Sequence, residues 1–379
     1  MISHIMNPRR IGALLALAVG LALPAGAAAQ GQAGSDRTVR KGGDERTGAY
    51  DVVPNWWKRA ADHDSTWTWG QVSGLAVDNP NRILVAVWGD RDRQGRERPN
   101  SSNYLVVVDR NGNLVENWSH WDSIFNKPHQ VYISPYDPER HIWIVERGEG
   151  EANMEVFKFT NDGKRLVMRL GDRDDASSRA EARLKADPGP YDYGDPAVLA
   201  FFPNGDFLLG DGYWNGRIIR YNAKGEFLSK WGSVGSGPGQ FDLIHGLAID
   251  RDHRVYVGDR SNNRVQVFTE DGTFIEEWPD IYDPVGIVID ENDAVWVVSA
   301  RLNRILKYNL AGELQYYFGA FGMTAGIWQG GLARPHQLGV GDDGSIYIAN
   351  FDGGWVNKFV PKPGADPSKL IGRPLVLTK

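Results

Sequence analysis

Ile244-His-Gly-Leu-Ala-Ile-Asp250, Arg254-Val-Tyr-Val-Gly-Asp259, Asn263-Arg-Val-Gln-Val-Phe268 and Phe274-Ile-Glu-Glu-Trp278 follow one another along the chain, with Asp271-Gly272 before the last. Each is a short run of β-branched and aromatic residues bounded by Asp, Asn or Gly, so the stretch reads as four strands joined by tight turns. Four such strands make one blade of a β-propeller. Working outward, the pattern recurs with drift from Val72-Ser-Gly-Leu-Ala-Val-Asp78, Pro128-His-Gln-Val-Tyr-Ile133, Pro196-Ala-Val-Leu-Ala200, Pro284-Val-Gly-Ile-Val-Ile-Asp290 and Pro335-His-Gln-Leu-Gly-Val340. Six repeats of this kind close into a ring that leaves few sheet edges exposed. The expected fold class is all-β, a six-bladed β-propeller with four-stranded antiparallel blades, over residues 49–379. The last repeat lacks a fourth strand after Phe359, and Tyr50-Asp-Val-Val-Pro-Asn-Trp56 is expected to supply it.

Composition agrees with an all-β chain. There are 45 glycines for turns and 14 each of tryptophan, tyrosine and phenylalanine for pleated, half-buried surfaces. The formal charge of -6 has both signs interspersed, so no basic face is offered to nucleic acid. No cysteine is present, which excludes disulfides, thiolate metal sites and cysteine nucleophiles. Arg9 and Arg10, the apolar run Ile11 to Leu23 and Ala27-Ala28-Ala29 read as an export signal over residues 1–29, cleaved before Gln30. The expected location is therefore periplasmic or extracellular. The apolar run is too short to span a bilayer, so no membrane span is expected. Residues 30–48 are polar and glycine-rich and are expected to form a disordered linker. A monomer is expected.

Of the eight histidines, three occupy one repeat position at the start of the innermost strand: His129, His245 and His336. The other repeats carry Ser73, Ala197 and Val285 there. The histidines thus fall in the second, fourth and sixth repeats, and their side chains are expected to meet on the axis from directions about 120° apart. Three imidazoles around one point with an open side is the donor set of a catalytic zinc site, and zinc is the expected ion because imidazole suits it. A wet channel lined by three polar side chains is the plainer reading. Strand alternation puts the connectors between blades on one face, together with the loops joining second and third strands. The longest connectors are 172–195, 232–244 and 319–334, and Ser177 to Lys185 in the first has the composition of a short helix. Function usually sits on such loops. From the same face Tyr213, in Gly210-Asp-Gly-Tyr-Trp-Asn-Gly-Arg217, is within reach of the axis, and Arg260 offers a fork to a carboxylate. Asp211 and Asp259, at the ends of second strands, read as loop braces.

These residues carry a resemblance. The blade pattern resembles NHL repeats, and the order of motifs across nearly the whole mature chain resembles peptidyl-α-hydroxyglycine α-amidating lyase. The matching pieces are Gly70-Gln-Val-Ser-Gly74, Pro128-His129, Val156-Phe-Lys-Phe159 with Asp162-Gly-Lys164, Asp211-Gly-Tyr213, Gly237-Pro-Gly-Gln-Phe241, His245, Asp259-Arg260 and Pro335-His336. The resemblance implies zinc held by His129, His245 and His336, Tyr213 as general base, and Arg260 holding substrate or orienting the tyrosine. It implies a small-molecule or peptide substrate ending in α-hydroxyglycine, split into an amide and glyoxylate. Two departures stand out. Trp88 replaces an arginine of the family, with Arg91 and Arg93 as candidate substitutes. Gln337 replaces the aspartate that helps hold a structural calcium in the family, which speaks against calcium here. Trp88, Arg91, Arg93, Arg334 and Gln337 complete the candidate substrate-contacting set. Two other readings remain open: a non-catalytic exported propeller binding a peptide, glycan or protein on its loop face, and a metal-dependent lactonase.

Overall fold

The chain was analysed as a computed structural model that describes residues 40–41, 46–60, 66–92, 96, 102–148, 154–171, 187–322 and 330–378. The expected export signal, Arg93 and the expected helix at 177–185 lie outside the described residues. Six four-stranded antiparallel sheets follow one another in chain order and are numbered here as blades 1 to 6. Their inner strands are Val72–Asn79, Pro128–Ile133, Val198–Phe201, Ile244–Ile249, Pro284–Ile289 and Pro335–Val340. Blade 4 is the deciding stretch quoted above, with strands Ile244–Ile249, Val255–Asp259, Arg264–Phe268 and Phe274–Trp278. Every residue of its first three strands is buried, because neighbouring blades cover both faces. Its outer strand alternates, with Phe274, Glu276 and Trp278 turned further from water than Ile275 and Glu277.

The blades interlock through a repeated contact. Gly272 closes the last turn of blade 4 at φ +89°, a left-handed conformation that glycine adopts without strain. A Cβ there would also meet the ring of Trp231, from the outer strand of blade 3, at 2.4 Å. Trp118 lies in the same way against Gly163 of blade 2, and Trp278 against Gly312 of blade 5. Indole on glycine is thus a recurring seam between neighbours.

The ring closes with strand Tyr50–Val52, which pairs antiparallel with Trp355–Pro361 and gives blade 6 its fourth strand. Tyr50 is buried and its hydroxyl accepts from the N–H of Ile371 at 2.7 Å. Two short pieces of the stretch 30–48 are among the described residues. Arg40–Lys41 runs parallel to Tyr316 and Tyr317 as a fifth strand on blade 5, and Lys362 Nζ donates to the carbonyl of Gly48 at 2.9 Å. Edge pairing uses backbone groups, so a segment poor in apolar residues still finds partners there.

On the face opposite the long connectors, the last residues cross the axis. Leu375 N–H donates to Ile289 of blade 5 at 2.8 Å, and Leu377 N–H donates to Tyr136, beyond the inner strand of blade 2, at 2.9 Å. Pro374 and Leu375 line a cavity of about 230 Å³ together with Gln337 and Leu338. Among the described residues no helix is long and apolar enough to cross a membrane.

Candidate metal centre

His129, His245 and His336 are each the second residue of an inner strand, and all three are buried. Their ring centroids are 4.7 to 4.8 Å apart, and the rings meet edge to face. What aims them is backbone. His129 Nδ1 is 2.8 Å from the carbonyl of Ala197, His245 Nδ1 is 2.9 Å from that of Val285, and His336 Nδ1 is 2.5 Å from that of Ser73. Each acceptor is the residue that takes the histidine's place in the next blade. A carbonyl only accepts, so every Nδ1 carries the hydrogen and every Nε2 keeps a lone pair. Burial drives all three imidazoles below their ordinary pKa, His336 to about 3, with the guanidinium charges of Arg147 and Arg260 acting in the same direction on it.

The donor set fits a metal ion. One nitrogen from each ring lies within 4.8 Å of the other two. Tetrahedral zinc asks for about 3.3 Å between imidazole nitrogens, a modest contraction. Neutral imidazoles whose other N–H is bonded to a backbone carbonyl are also the form in which histidine ligates. The cluster is therefore able to hold a metal ion.

Tyr213 reaches the same point. Its hydroxyl is 3.1 Å from His245 Nε2 and 3.2 Å from His129 Nε2. Gly212 makes this approach possible, because a Cβ at that position would fall 2.0 Å from the carbonyl of Ile244, directly before His245. Asp195 tethers the loop from the other side, its carbonyl accepting from Tyr213 N–H at 3.3 Å. The carboxylates read as braces also hold connectors. Asp211 accepts from Gly194 N–H at 2.7 Å and Asp259 from Asp242 N–H at 2.8 Å, while their second oxygens pair with Arg217 and Arg264.

Sequence reasoning missed Arg147. Its guanidinium carbon lies 4.1 Å from the centre of the Tyr213 ring and 5.7 Å from that of Trp88. Both Asp195 carboxylate oxygens fix it, at 2.8 Å from Nε and 2.7 Å from Nη2. The signal was present in the repeat register. Val72 pairs with Val87, Pro128 with Glu146 and Ile244 with Asp259, so Trp88, Arg147 and Arg260 follow equivalent strand ends in blades 1, 2 and 4. The arginine that the resemblance places near Trp88 is absent there, and a guanidinium from the next blade stands over the tyrosine.

The other candidates separate. Arg260 and Arg334 line one cleft on this face, and Arg260 pairs through Nε with Asp283. Trp88 donates to the carbonyl of Pro128 at 3.0 Å and packs edge-on against Phe351, which in turn stacks on His336. Gln337 is turned to backbone: its Oε1 accepts from Leu75 and Val131 at 2.9 and 3.2 Å, and its Nε2 donates to Val131 at 2.8 Å. It acts as a strut between three inner strands. Arg91 stands on a short ladder between Trp67–Trp69 and Asp90–Asp92 and donates to Gln71 at 3.2 Å.

Fold and axial cluster define a six-bladed β-propeller with three converging histidines. The NHL repeat profile matches residues 241–268, which hold most of blade 4. The chain is an NHL-repeat propeller that resembles peptidyl-α-hydroxyglycine α-amidating lyase. It is 26% identical over 302 residues to human NHL repeat-containing protein 3, covering 78% of this chain and 80% of that protein. It is also 26% identical over 343 residues to peptidyl-alpha-hydroxyglycine alpha-amidating lyase 1 of Drosophila melanogaster, covering 79% of this chain but 59% of that protein. Among solved structures, a gluconolactonase from Xanthomonas campestris superposes with a TM-score of 0.54 at 14% identity over 84% of this chain and 92% of that one, a likeness of fold alone.

Proposed function

We propose that the chain is a zinc-dependent lyase that splits the C–N bond of an α-hydroxyglycine-type carbinolamide into an amide and glyoxylate. The observation that carries this reading is the meeting of the Nε2 atoms of His129 and His245 with the Tyr213 hydroxyl, beside the third imidazole of His336. Zinc held by the three imidazoles supplies a Lewis acid that lowers the pKa of the substrate hydroxyl. Tyr213 Oη takes that hydroxyl proton and returns it to the leaving amide nitrogen. As the proton leaves, the C–O bond becomes the carbonyl of glyoxylate, and the C–N bonding pair departs with the nitrogen. Burial holds the Tyr213 pKa above its ordinary value, and the positive charges of Arg147 and Arg260 oppose that rise, in the direction of the phenolate a base requires. Arg147 is the positioning residue for the tyrosine, and Arg260 presents its outer nitrogens to the substrate carboxylate. The relatives named as lyases support the reaction class. Purified, zinc-loaded protein is expected to release glyoxylate from α-hydroxyhippurate. No glyoxylate from a fully loaded sample removes the proposal. Export is part of the same reading: N-terminal sequencing of protein recovered outside the cytoplasm is expected to begin at Gln30.

A further inference from the structure

A cleft of about 610 Å³ runs over blades 4, 5 and 6 on the loop face, lined by Arg260, Arg301 and Arg334 with Asp283, Asp352 and Phe321. Two of its arginines, Arg260 and Arg334, are near enough to the histidine cluster for their charge to act on His336. The third is different in kind. Arg301 is exposed, lies two residues beyond the second strand of blade 5, and has no carboxylate partner among the described residues. Phe321, in the same lining, is 63% exposed, a large ring left open to solvent.

The charges are unequal. Three guanidiniums face two carboxylates, and each carboxylate already has a partner. Asp283 takes Nε of Arg260, which leaves both outer nitrogens of that arginine open among the described residues, and Asp352 stands 3.6 Å from Nη1 of Arg334. One whole guanidinium and the fork of another therefore remain for a ligand. Both line a single cleft together with the Phe321 ring.

Resting on the lyase reading above, we propose that this cleft selects substrates carrying a second anionic group. The α-hydroxyglycine carboxylate meets Arg260, the apolar middle of an N-acyl or peptidyl group lies along Phe321, and an acidic side chain or acyl carboxylate meets Arg301. Planar guanidinium suits this task, since it takes a carboxylate through two parallel hydrogen bonds.

The test compares two substrates, N-acetyl-Glu-Phe-α-hydroxyglycine and its Gln counterpart, by glyoxylate release at low and high salt. The wild-type chain is expected to favour the Glu substrate about three- to tenfold in kcat/KM, through KM, with the preference shrinking as salt screens it. Arg301→Gln is expected to bring the ratio near one, and Arg301→Lys to retain part of it. A wild-type ratio of one, or a ratio unchanged in Arg301→Gln, overturns the cleft assignment and leaves the lyase reading standing. Should neither substrate yield glyoxylate, the lyase reading fails instead. Calorimetry with the matching peptide amides, N-acetyl-Glu-Phe-amide and N-acetyl-Gln-Phe-amide, then decides the cleft. Tighter binding of the Glu amide that disappears in Arg301→Gln supports it, and equal or absent binding overturns it.

Discussion

The guanidinium of Arg147 stacks on the face of the Tyr213 ring at 4.1 Å, held there by a two-point pair with Asp195, whose own carbonyl receives the tyrosine N–H. One aspartate thus fixes both members of the pair. Such a cation favours the phenolate and restrains the ring at once. Arg147→Gln is expected to lower kcat for α-hydroxyhippurate about tenfold with little change in KM, and to move the ascending, acid-side limb of the pH–rate profile to higher pH, because the base then deprotonates less readily. Arg147→Lys is expected to restore part of the rate. An unchanged pH profile in the Gln variant would show that the arginine only packs.

Tyr213→Phe keeps the ring, its stack and its packing but removes the hydroxyl between the two Nε2 atoms. Glyoxylate release is expected to fall about 10²- to 10⁴-fold, the usual worth of a positioned proton-transfer group. Zinc content measured on the same sample is expected to match the wild type. Full activity in this variant would remove the tyrosine from the chemistry.

His245→Ala leaves two imidazoles and opens the remaining site to water. Metal analysis is expected to give about one zinc per wild-type chain and near none in the variant. Chelation of the wild type is expected to lower its melting temperature, and zinc to restore it, since an ion bound only by the fold stabilises it by about 4 kcal/mol at a thousandfold excess over its dissociation constant.

Without metal, the three imidazoles give the fold a pH dependence of known sign. Burial depresses their folded-state values, His336 to about 3, whereas the unfolded chain titrates near the ordinary value of about 6.5. Between those limits the unfolded chain binds protons that the fold does not. Stability of metal-free protein is therefore retained above about pH 6.5 and lost as pH falls toward the folded values, by about 1.4 kcal/mol per pH unit for each ring. Denaturant midpoints of the metal-free protein at pH 7.5 and 5.5 read this directly. Equal midpoints would mean that the rings are not held neutral.

Tyr50 closes the ring, fills the seam between blades 5 and 6, and receives the Ile371 N–H. Tyr50→Ala is expected to cost about 3–5 kcal/mol, the range for deleting a large buried ring, with the loss read from denaturant midpoints. Tyr50→Phe, which gives up only the hydrogen bond, is expected to cost about 1–3 kcal/mol.

Much of this was legible in the repeat. The period located every inner strand, and the shared position of His129, His245 and His336 foretold their meeting, because side chains at equivalent points of a ring point to its centre. Arg147 was not read, since Glu146-Arg147-Gly148 looks like a charged surface loop until the strand register aligns it with Asp259-Arg260. The locking of each imidazole was hidden for another reason: its acceptors are carbonyls of Ser73, Ala197 and Val285, and a carbonyl leaves no trace in residue identity. The pairing of Arg40–Lys41 with blade 5 was hidden likewise, since edge pairing draws on backbone groups that every residue supplies.

The carbonyl acceptors carry a consequence for how the architecture can vary. A ligand-bearing sector and an acceptor-bearing sector form one functional pair, and three such pairs make a full circuit. Strict alternation of two roles around a loop demands an even count of sectors. A relative that lost one acceptor-bearing sector would set two ligand-bearing sectors side by side, and one ring nitrogen would face the next imidazole where its acceptor should be.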